Sequence, residues 1–308
     1  MTIAMIFERK ISLFALPLAL ALSACGFSED NPESLAAEAL ESGDIGAARL
    51  HYAQAIDAQP AKTGLRLKYA EALLALGDGV GAQAALEALP QDQRMTGQAA
   101  SLMGHAKLLQ RQAESALTWA DNAGADDPLA SWVKIGAHLQ MEDEDTAVAI
   151  ADRAVETHPK DARLLALRGE IALGRRQIGP AKTFSDRALD ADKGSLEAQT
   201  LAGKLDLMRE DFAEAEEHFA AAVAINRSIV GPRLSLAAVQ ADMGKLDEAT
   251  ETLNAAREIA PGHPMGMFLD AKLAFVKGDL DSAHSTMQDA ESQLRKVPAA
   301  QLLMGEIA

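Results

Sequence analysis

The stretch GKLDEA at residues 244–249 recurs 34 residues later as GDLDSA at residues 278–283. Steps of the same length towards the amino terminus lead from Ala249 to Ala215, Ala181 and Ala147. A fixed period of this length is typical of arrays of small structural units that cannot bury their apolar faces alone. The period therefore predicts a repeat protein.

Alanine occupies one equivalent position in eight successive units, one of which is shorter, at about 31 residues. The eight residues are Ala48, Ala82, Ala116, Ala147, Ala181, Ala215, Ala249 and Ala283. Alanine makes up 63 of the 308 residues, so composition alone does not explain eight coincidences. Such a position indicates close contact between helices, because alanine lets two helix backbones approach.

An earlier position in each unit is also small. Its residues are Ala36, Ala70, Gly104, Gly169, Gly203, Ala237 and Ala271, with Ile135 as the exception. A second alanine follows the first by seven residues, and prolines such as Pro60 and Pro261 close units. This pattern resembles the tetratricopeptide repeat, which implies two antiparallel helices per unit. We therefore expect an all-α fold: an α-solenoid of about eight tetratricopeptide repeats in a right-handed superhelix, with a terminal half-repeat.

Several units depart from this pattern. Leu89 replaces the second alanine, and the closing proline is replaced by Arg94, Lys193, Arg227 and Arg295. We expect those repeats to be joined less rigidly.

The composition bears on the class of protein. Acidic residues outnumber basic ones, 45 against 29, which gives a net charge of −16. Such a surface repels nucleic acid, so we expect no DNA or RNA partner. Hydrophobic residues make up 48% of the chain and aromatic residues only 4%, which favours packed helices over a large globular enzyme core.

The first 24 residues have the layout of a secretory signal. Arg9 and Lys10 precede an apolar run over residues 11–21, and small residues follow. The run is about half of the roughly 20 residues needed to cross a bilayer. It is therefore expected to direct export and not to anchor the chain.

Residues 22–25, LSAC, resemble the bacterial lipobox. The resemblance implies cleavage between Ala24 and Cys25 and acylation of Cys25, the one cysteine in the chain. Lipid chains on this residue would hold the protein on a membrane. The chain then divides into a lipoprotein signal peptide (1–24), a lipidated tether (25–31) and a solenoid (32–308).

The tether predicts a position in the bacterial cell envelope, facing the periplasm. Gly26 follows Cys25, whereas Asp at this place retains enterobacterial lipoproteins in the inner membrane, so the outer membrane is slightly favoured. Asn31 and Pro32 have the residue types of a helix cap and a first helical position. The solenoid is therefore expected to begin close to the membrane.

The resemblance also points to a protein-binding groove, lined by positions 2, 5, 9, 12 and 13 of each first helix. Carried onto this sequence, it gives the candidate groove residues Leu129, Trp132, Lys204, Met265, Phe268, Lys272 and Phe275. The alternative for Phe268 and Phe275 is packing against neighbouring helices, because aromatic residues at helical spacing usually belong to a core.

The sequence contains two stretches that superficially resemble a phosphate loop and a calcium loop. The glycines of 77–81 lack the strand and the GK[ST] of a phosphate loop, and the acidic run 142–145 lacks the spacing of a calcium loop, so both indicate turns between helices. The seven histidines are scattered, and no GxSxG is present. We expect no enzyme activity, no cofactor and no metal site.

The expected function is a non-enzymatic, membrane-anchored scaffold or adaptor for envelope proteins. Residues 164–181 and 263–283 look like the repeat lipoprotein that accompanies exosortase/PEP-CTERM systems (PrsT-type), which implies a link to exopolysaccharide export or protein sorting. The alternatives are a scaffold for envelope assembly or peptidoglycan enzymes, a self-assembling spacer that associates through its last helix, and an enzyme with a pocket of convergent titratable residues.

Overall fold

The computed structural model describes residues 31–295 and 298–307, and within these ranges every regular element is an α-helix. The predicted signal peptide and Cys25 lie outside the described residues. An all-α fold is therefore confirmed for the part of the chain that is described.

The helices form eight successive helix–turn–helix pairs, numbered here as repeats 1 to 8. The first helices are α1 (Pro32–Glu41), α3 (Thr63–Ala75), α6 (Gly97–Leu109), α8 (Pro128–Gln140), α10 (Ala162–Gly174), α12 (Leu196–Met208), α14 (Gly231–Asp242) and α16 (Pro264–Val276). The second helices are α2 (Ile45–Ala58), α4 (Gly79–Glu87), α7 (Ala113–Ala123), α9 (Glu144–Thr157), α11 (Ile178–Ala191), α13 (Phe212–Ile225), α15 (Leu246–Ile259) and α17 (Leu280–Asp289). Three further helices are α5 (Gln91–Arg94), α18 (Glu291–Leu294) and α19 (Pro298–Ile307).

Short polar residues start many of these helices. The Asn31 side chain accepts a hydrogen bond from the Glu33 backbone N–H at 3.1 Å, as its position before Pro32 predicted. Asp44 and Asp78 cap α2 and α4 in the same way. Such caps satisfy backbone donors that have no partner inside the helix, which fixes where each helix begins.

The eight alanines at the equivalent position are all completely buried. The facing position on the first helix is equally tight. A Cβ atom added at Gly203 would lie 2.9 Å from Cε1 of Phe219, and one added at Gly169 would lie 2.4 Å from Cδ2 of Leu201. The small residues thus allow the helices to touch, and larger apolar side chains fill the space around each contact.

The array closes on itself. The segment 226–230 between α13 and α14, here called the closing loop, reaches the turns of the first two repeats. The Arg227 backbone N–H donates to the Gly43 carbonyl oxygen at 2.9 Å, and Nδ2 of Asn226 donates to the Ala75 carbonyl oxygen at 2.9 Å. Repeats 1 to 6 therefore form a ring.

The closure depends on a glycine. Gly43 has φ +74°, and a Cβ atom at this position would lie 2.1 Å from the Ala224 carbonyl oxygen. Gly77 occupies the equivalent turn of repeat 2 with φ +77°, and its Cβ would meet nothing within 4 Å. The two glycines share a backbone conformation, but only Gly43 is needed for the contact between distant repeats.

The expected terminal half-repeat forms one helix, α19, which packs on α16 and α17. Ala300 and Leu303 are buried there, whereas Leu302 is 67% exposed.

Over-packing the equivalent alanine position should destabilise the array. Ala215→Leu places a larger side chain in a fully buried contact, and we expect it to lower the free energy of unfolding by about 1–3 kcal/mol. Ala220→Leu is the matched control, because Ala220 lies on the exposed side of the same helix and should change stability by less than about 0.5 kcal/mol. Urea unfolding followed by circular dichroism measures both, and equal effects would refute the assigned role.

Gly43→Ala should open the ring, since the added Cβ would collide with the Ala224 carbonyl oxygen. We expect faster deuterium exchange at the Arg227 amide and a larger radius of gyration by small-angle scattering. Gly77→Ala has the same unfavourable left-handed backbone, at a cost of about 1 kcal/mol, without the collision. It should leave both measurements close to those of the natural protein, and an equal response of the two variants would contradict the closure.

Candidate protein-binding cavity

The ring encloses a cavity of about 890 Å³, here called the central cavity. Its wall is formed by the first helices of repeats 2 to 6, and the closing loop covers one side with Ser228, Ile229 and Val230. Side chains on the wall include Glu71, Leu74, Gln98, Leu102, His105, Asp127, Leu129, Trp132, Asp161, Arg163 and Glu197. The cavity is therefore lined by both apolar and charged groups.

Helix α6 carries three of the side chains that line the cavity. Gln98, Leu102 and His105 are spaced four and three residues apart, so they share one face of the helix and point into the cavity. At one end of this face, Nε2 of Gln98 donates to Oε1 of Glu71 at 2.7 Å. At the other end, the His105 ring meets the Trp132 ring edge-on, with centroids 4.7 Å apart and planes at 66°.

His105 is neutral at physiological pH. Burial, together with the positive charge of Arg163, lowers the pKa of this imidazole to about 4. An uncharged imidazole can pack against Trp132 at little electrostatic cost. His105 therefore serves the wall of the cavity as an aromatic group.

Glu71 is the wall carboxylate that, among the described residues, neither caps a helix nor lies at ion-pair distance from a cation. Its side chain is open to the cavity, and the surrounding walls raise its pKa by desolvation, an effect that the hydrogen bond from Gln98 and the positive charges of Arg163 and Lys68 partly offset. Within the described residues no lysine or arginine lies at ion-pair distance from it. A carboxylate in this situation gains from a cationic ligand.

The other acids of the wall have partners. Asp127 caps α8 by accepting from the Ala130 N–H at 3.0 Å, and its second oxygen accepts from Oγ of Ser101 at 2.6 Å. Asp161 caps α10 in the same way. These two carboxylates hold helix termini in place.

Among the described residues, Arg163 is the one cation on the wall. Its Nε lies 3.8 Å from Oε1 of Glu197, so its charge is paired with that carboxylate.

The geometry does not form an acid–base pair. Within the described residues, no hydrogen bond or ion pair links His105 to a carboxylate. The same part of the chain contains no cluster of three potential metal ligands. A pocket with titratable residues is thus present, but those residues are not arranged as a nucleophile with its base.

The sequence profile of the tetratricopeptide repeat matches residues 39–106 and 206–267, which include both sides of the ring closure, Gly43 with Arg227 and Ala75 with Asn226. These two segments are tetratricopeptide repeats. Proteins built from them are generally non-enzymatic scaffolds that bind other proteins.

Solved structures share this fold. A chain in the crystal structure of the APC/C hetero-tetramer Cut9–Hcn1 superposes with a TM-score of 0.70 at 11% identity, over 92% of this chain and 57% of that one. The pilF protein of Pseudomonas aeruginosa gives 0.54 at 18% identity, over 68% of this chain and 94% of that one. The present chain thus spans 57% of the Cut9–Hcn1 chain. At these identities the likeness establishes the fold alone, and comparison with curated proteins gives no sequence match.

The structure places the predicted groove residues in two regions. Leu129 and Trp132 line the central cavity. Lys204 lies at the next position along the inner side, where its Nζ pairs with Oε1 of Glu170 at 2.7 Å.

The remaining predicted residues lie in repeat 8, outside the cavity. Phe268 and Phe275 are half-buried and pack against the cluster that joins α16 to α17 and α19, as the packing alternative proposed. Met265 is 38% exposed, and Lys272 forms an ion pair with Asp242. The structure therefore separates one candidate region at repeats 4 to 6 from another at repeat 8.

Sequence reasoning missed Glu71, Gln98, His105 and Arg163. The signal was available, because each occupies position 2 or 9 of a first helix when counted from the small residue at position 8. The predicted groove residues belong to repeats 4, 6 and 8, whereas these four residues lie in repeats 2, 3 and 5. No sequence signal marked the closing loop except the absent proline at Arg227.

Among the residues that the structure covers, no helix is both long and apolar enough to cross a membrane.

The free energy of unfolding should decrease as the pH falls from about 6.5 to about 4, because His105 titrates at different pH values in the unfolded and the folded protein. The unfolded histidine titrates near 6.5 and the folded one near 4, so between these values the unfolded state binds the proton first and is favoured as the pH falls. Relative to His105→Gln, the natural protein should lose about 3 kcal/mol of unfolding free energy between pH 7 and pH 4.

Carboxylates titrate in both the natural protein and the His105→Gln variant, so their contributions cancel when the two free energies of unfolding are compared. His284→Gln, at an exposed site on α17, should behave like the natural protein. A pH dependence unchanged by His105→Gln would show that this ring is not held neutral.

Proposed function

We propose that this protein is a membrane-anchored, non-enzymatic adaptor of the bacterial cell envelope that holds a segment of a partner protein in its central cavity. The observation that carries the proposal is the cavity itself, which lies on the inner side of the repeats and has Trp132 on its wall. Tryptophan is enriched among the residues that dominate binding energy at protein interfaces. The repeats thus supply a scaffold, and the cavity supplies a place where a partner is recognised.

The size of the cavity suits a short segment. Its volume of about 890 Å³ is near the upper end of the roughly 300–1,000 Å³ range of well-formed ligand pockets. Apolar side chains such as Leu102 and Leu129 alternate on the wall with polar groups. An extended chain can satisfy both kinds of group, because its side chains alternate and its backbone carries donors and acceptors.

The anchor is proposed from the sequence. Lipid on Cys25 would hold the chain seven residues before Pro32, where α1 begins. Seven extended residues reach at most about 25 Å. The central cavity would then work close to the membrane surface, facing the periplasm, with the outer membrane slightly favoured by Gly26.

The narrower assignment to exopolysaccharide export or protein sorting rests on the sequence resemblance to exosortase-associated lipoproteins. An envelope-assembly or peptidoglycan-enzyme scaffold is the alternative within the same class, and identifying the partner would distinguish them.

A second candidate is a self-assembling spacer. The observation that favours it is Leu302, which is 67% exposed on α19 beside the buried Leu303. A second copy of the chain could cover that side chain.

Photo-crosslinking in cells tests the adaptor. Benzoylphenylalanine replaces Trp132 in the cavity, Phe268 in repeat 8, or Leu50, which is 55% exposed on α2 and absent from the cavity wall. We expect adducts with one envelope protein from position 132 and none from position 50. Adducts from position 268 alone would move the site to repeat 8, and self-adducts alone would favour the spacer.

The anchor is tested in the same cells. Cys25→Ser removes the thiol that accepts the lipid, so the chain should leave the membrane fraction and lose the lipid mass of the intact protein. Retention of that variant in the membrane fraction would overturn the proposed lipid anchor while leaving the cavity in place.

A further inference from the structure

The charges on the wall of the central cavity are unbalanced. Among the described residues, four carboxylates line it, namely Glu71, Asp127, Asp161 and Glu197, against the single guanidinium of Arg163. His105 adds no positive charge, because its pKa is lowered to about 4. The formal charge of the wall at neutral pH is therefore negative, as is that of the whole chain.

Three of these carboxylates already have partners within the protein. Asp127 and Asp161 cap helices and so face the positive ends of helix dipoles, and Glu197 lies beside Arg163. Glu71 is different, since Gln98, a neutral amide, is its hydrogen-bond donor. The cavity thus contains one acid whose charge an incoming ligand could pair.

The distance between this acid and the aromatic group follows from α6. Glu71 contacts Gln98, and Trp132 contacts His105 seven residues further along the same helix. At 1.5 Å per residue the two contacts are about 10 Å apart. Leu102 lies between them, so the wall runs from an acid over an apolar stretch to an indole.

From this juxtaposition we infer that the central cavity binds an extended, basic segment of a partner protein, in which a lysine or arginine side chain pairs with Glu71 and an apolar side chain packs near Trp132. Three extended residues span about 10 Å, which matches the distance between the two contacts. This inference rests on the proposed function and specifies the chemistry of its ligand.

Charge complementarity favours this occupant over an acidic tail. An anionic segment would face four carboxylates, and it would have to compete with Glu197 for Arg163. Among the described residues no lysine or arginine lies at ion-pair distance from Glu71, so a cation can bind it without breaking an ion pair, while Arg163 and Lys68 act on it from further away. A charge-assisted hydrogen bond in a partly enclosed site is stronger than one on an open surface.

The test uses the purified full chain and blocked, fluorescein-labelled nine-residue peptides. In one library the central residue is lysine or arginine, in the other it is glutamate, and the remaining positions are drawn from Ala, Leu, Val and Gln. Fluorescence anisotropy at pH 7.5 measures binding. We expect the basic library to bind at least ten-fold more tightly than the acidic one.

Single substitutions test whether the preference for the basic library arises at Glu71. Glu71→Gln should reduce affinity for the basic library about ten-fold, as expected when a charged hydrogen bond becomes neutral. Glu156→Gln changes the net charge equally, but Glu156 lies on the exposed side of α9 and not on the cavity wall, so binding should be unchanged. Glu71→Lys should reverse the preference towards the acidic library, a gain that a misfolded protein could not show.

Other outcomes overturn the inference. Equal affinity for the two libraries, no binding of either, or an equal effect of Glu71→Gln and Glu156→Gln would each do so. Binding of the acidic library that is lost in Arg163→Gln would also overturn it, but the cavity would still bind a protein segment and the proposed function would stand. A failure of the proposed function itself would appear separately, as absence of partner adducts from position 132.

Discussion

The architecture depends on close contact between the two helices of each repeat. This contact requires a side chain no larger than a methyl group at one position of the second helix, and all eight alanines at that position are completely buried. The facing residue on the first helix must also be small, or a neighbouring residue must leave room for a larger one. Ile135 is the larger residue at this position, and it is fully buried. Its neighbour Gly136 leaves room for Leu108, whose Cδ2 lies 2.6 Å from where a Cβ atom of residue 136 would be. The alanine contact sets the separation of the helices, and that separation sets how each repeat stacks on the next.

Stacking alone would give an open solenoid. The ring arises because six repeats bring the end of α13 back to the first turn, where Gly43 leaves room for the Ala224 carbonyl oxygen. Asn226 then supplies a donor to Ala75 at the end of α3, a carbonyl that has no partner within its own helix. The closing loop is thus held by one backbone N–H and one side-chain amide, which both donate to backbone carbonyl oxygens, and it converts an inner surface into a cavity with a roof.

How well these features can be predicted from the sequence depends on how far apart along the chain the contacting residues lie. The period of 34 residues and the buried alanines are local patterns repeated many times, so the all-α solenoid could be predicted from sequence. The position rule depends on a single helix, so it could place Leu129 and Trp132 on the inner side, where they line the central cavity, while their part in binding a partner stays a prediction. Phe268 and Phe275 could not be assigned to groove or core, since this depends on how α19 covers them. The contact from Asn226 to Ala75 joins residues 151 positions apart and depends on the sum of many small rotations between repeats, which no local pattern encodes.

The closing loop also changes how the array can open. In a solenoid with contacts only between neighbours, either end can unfold one repeat at a time. Here the first repeat is also held by Arg227, so its opening requires the release of contacts in the middle of the chain. Repeats 7 and 8 follow the closing loop, and although Ile259 of repeat 7 borders the cavity, no hydrogen bond within the described residues ties these two repeats to repeat 1 or 2. The two ends are therefore unequal: the carboxyl-terminal repeats can open independently, whereas the amino-terminal repeat opens together with the roof of the cavity.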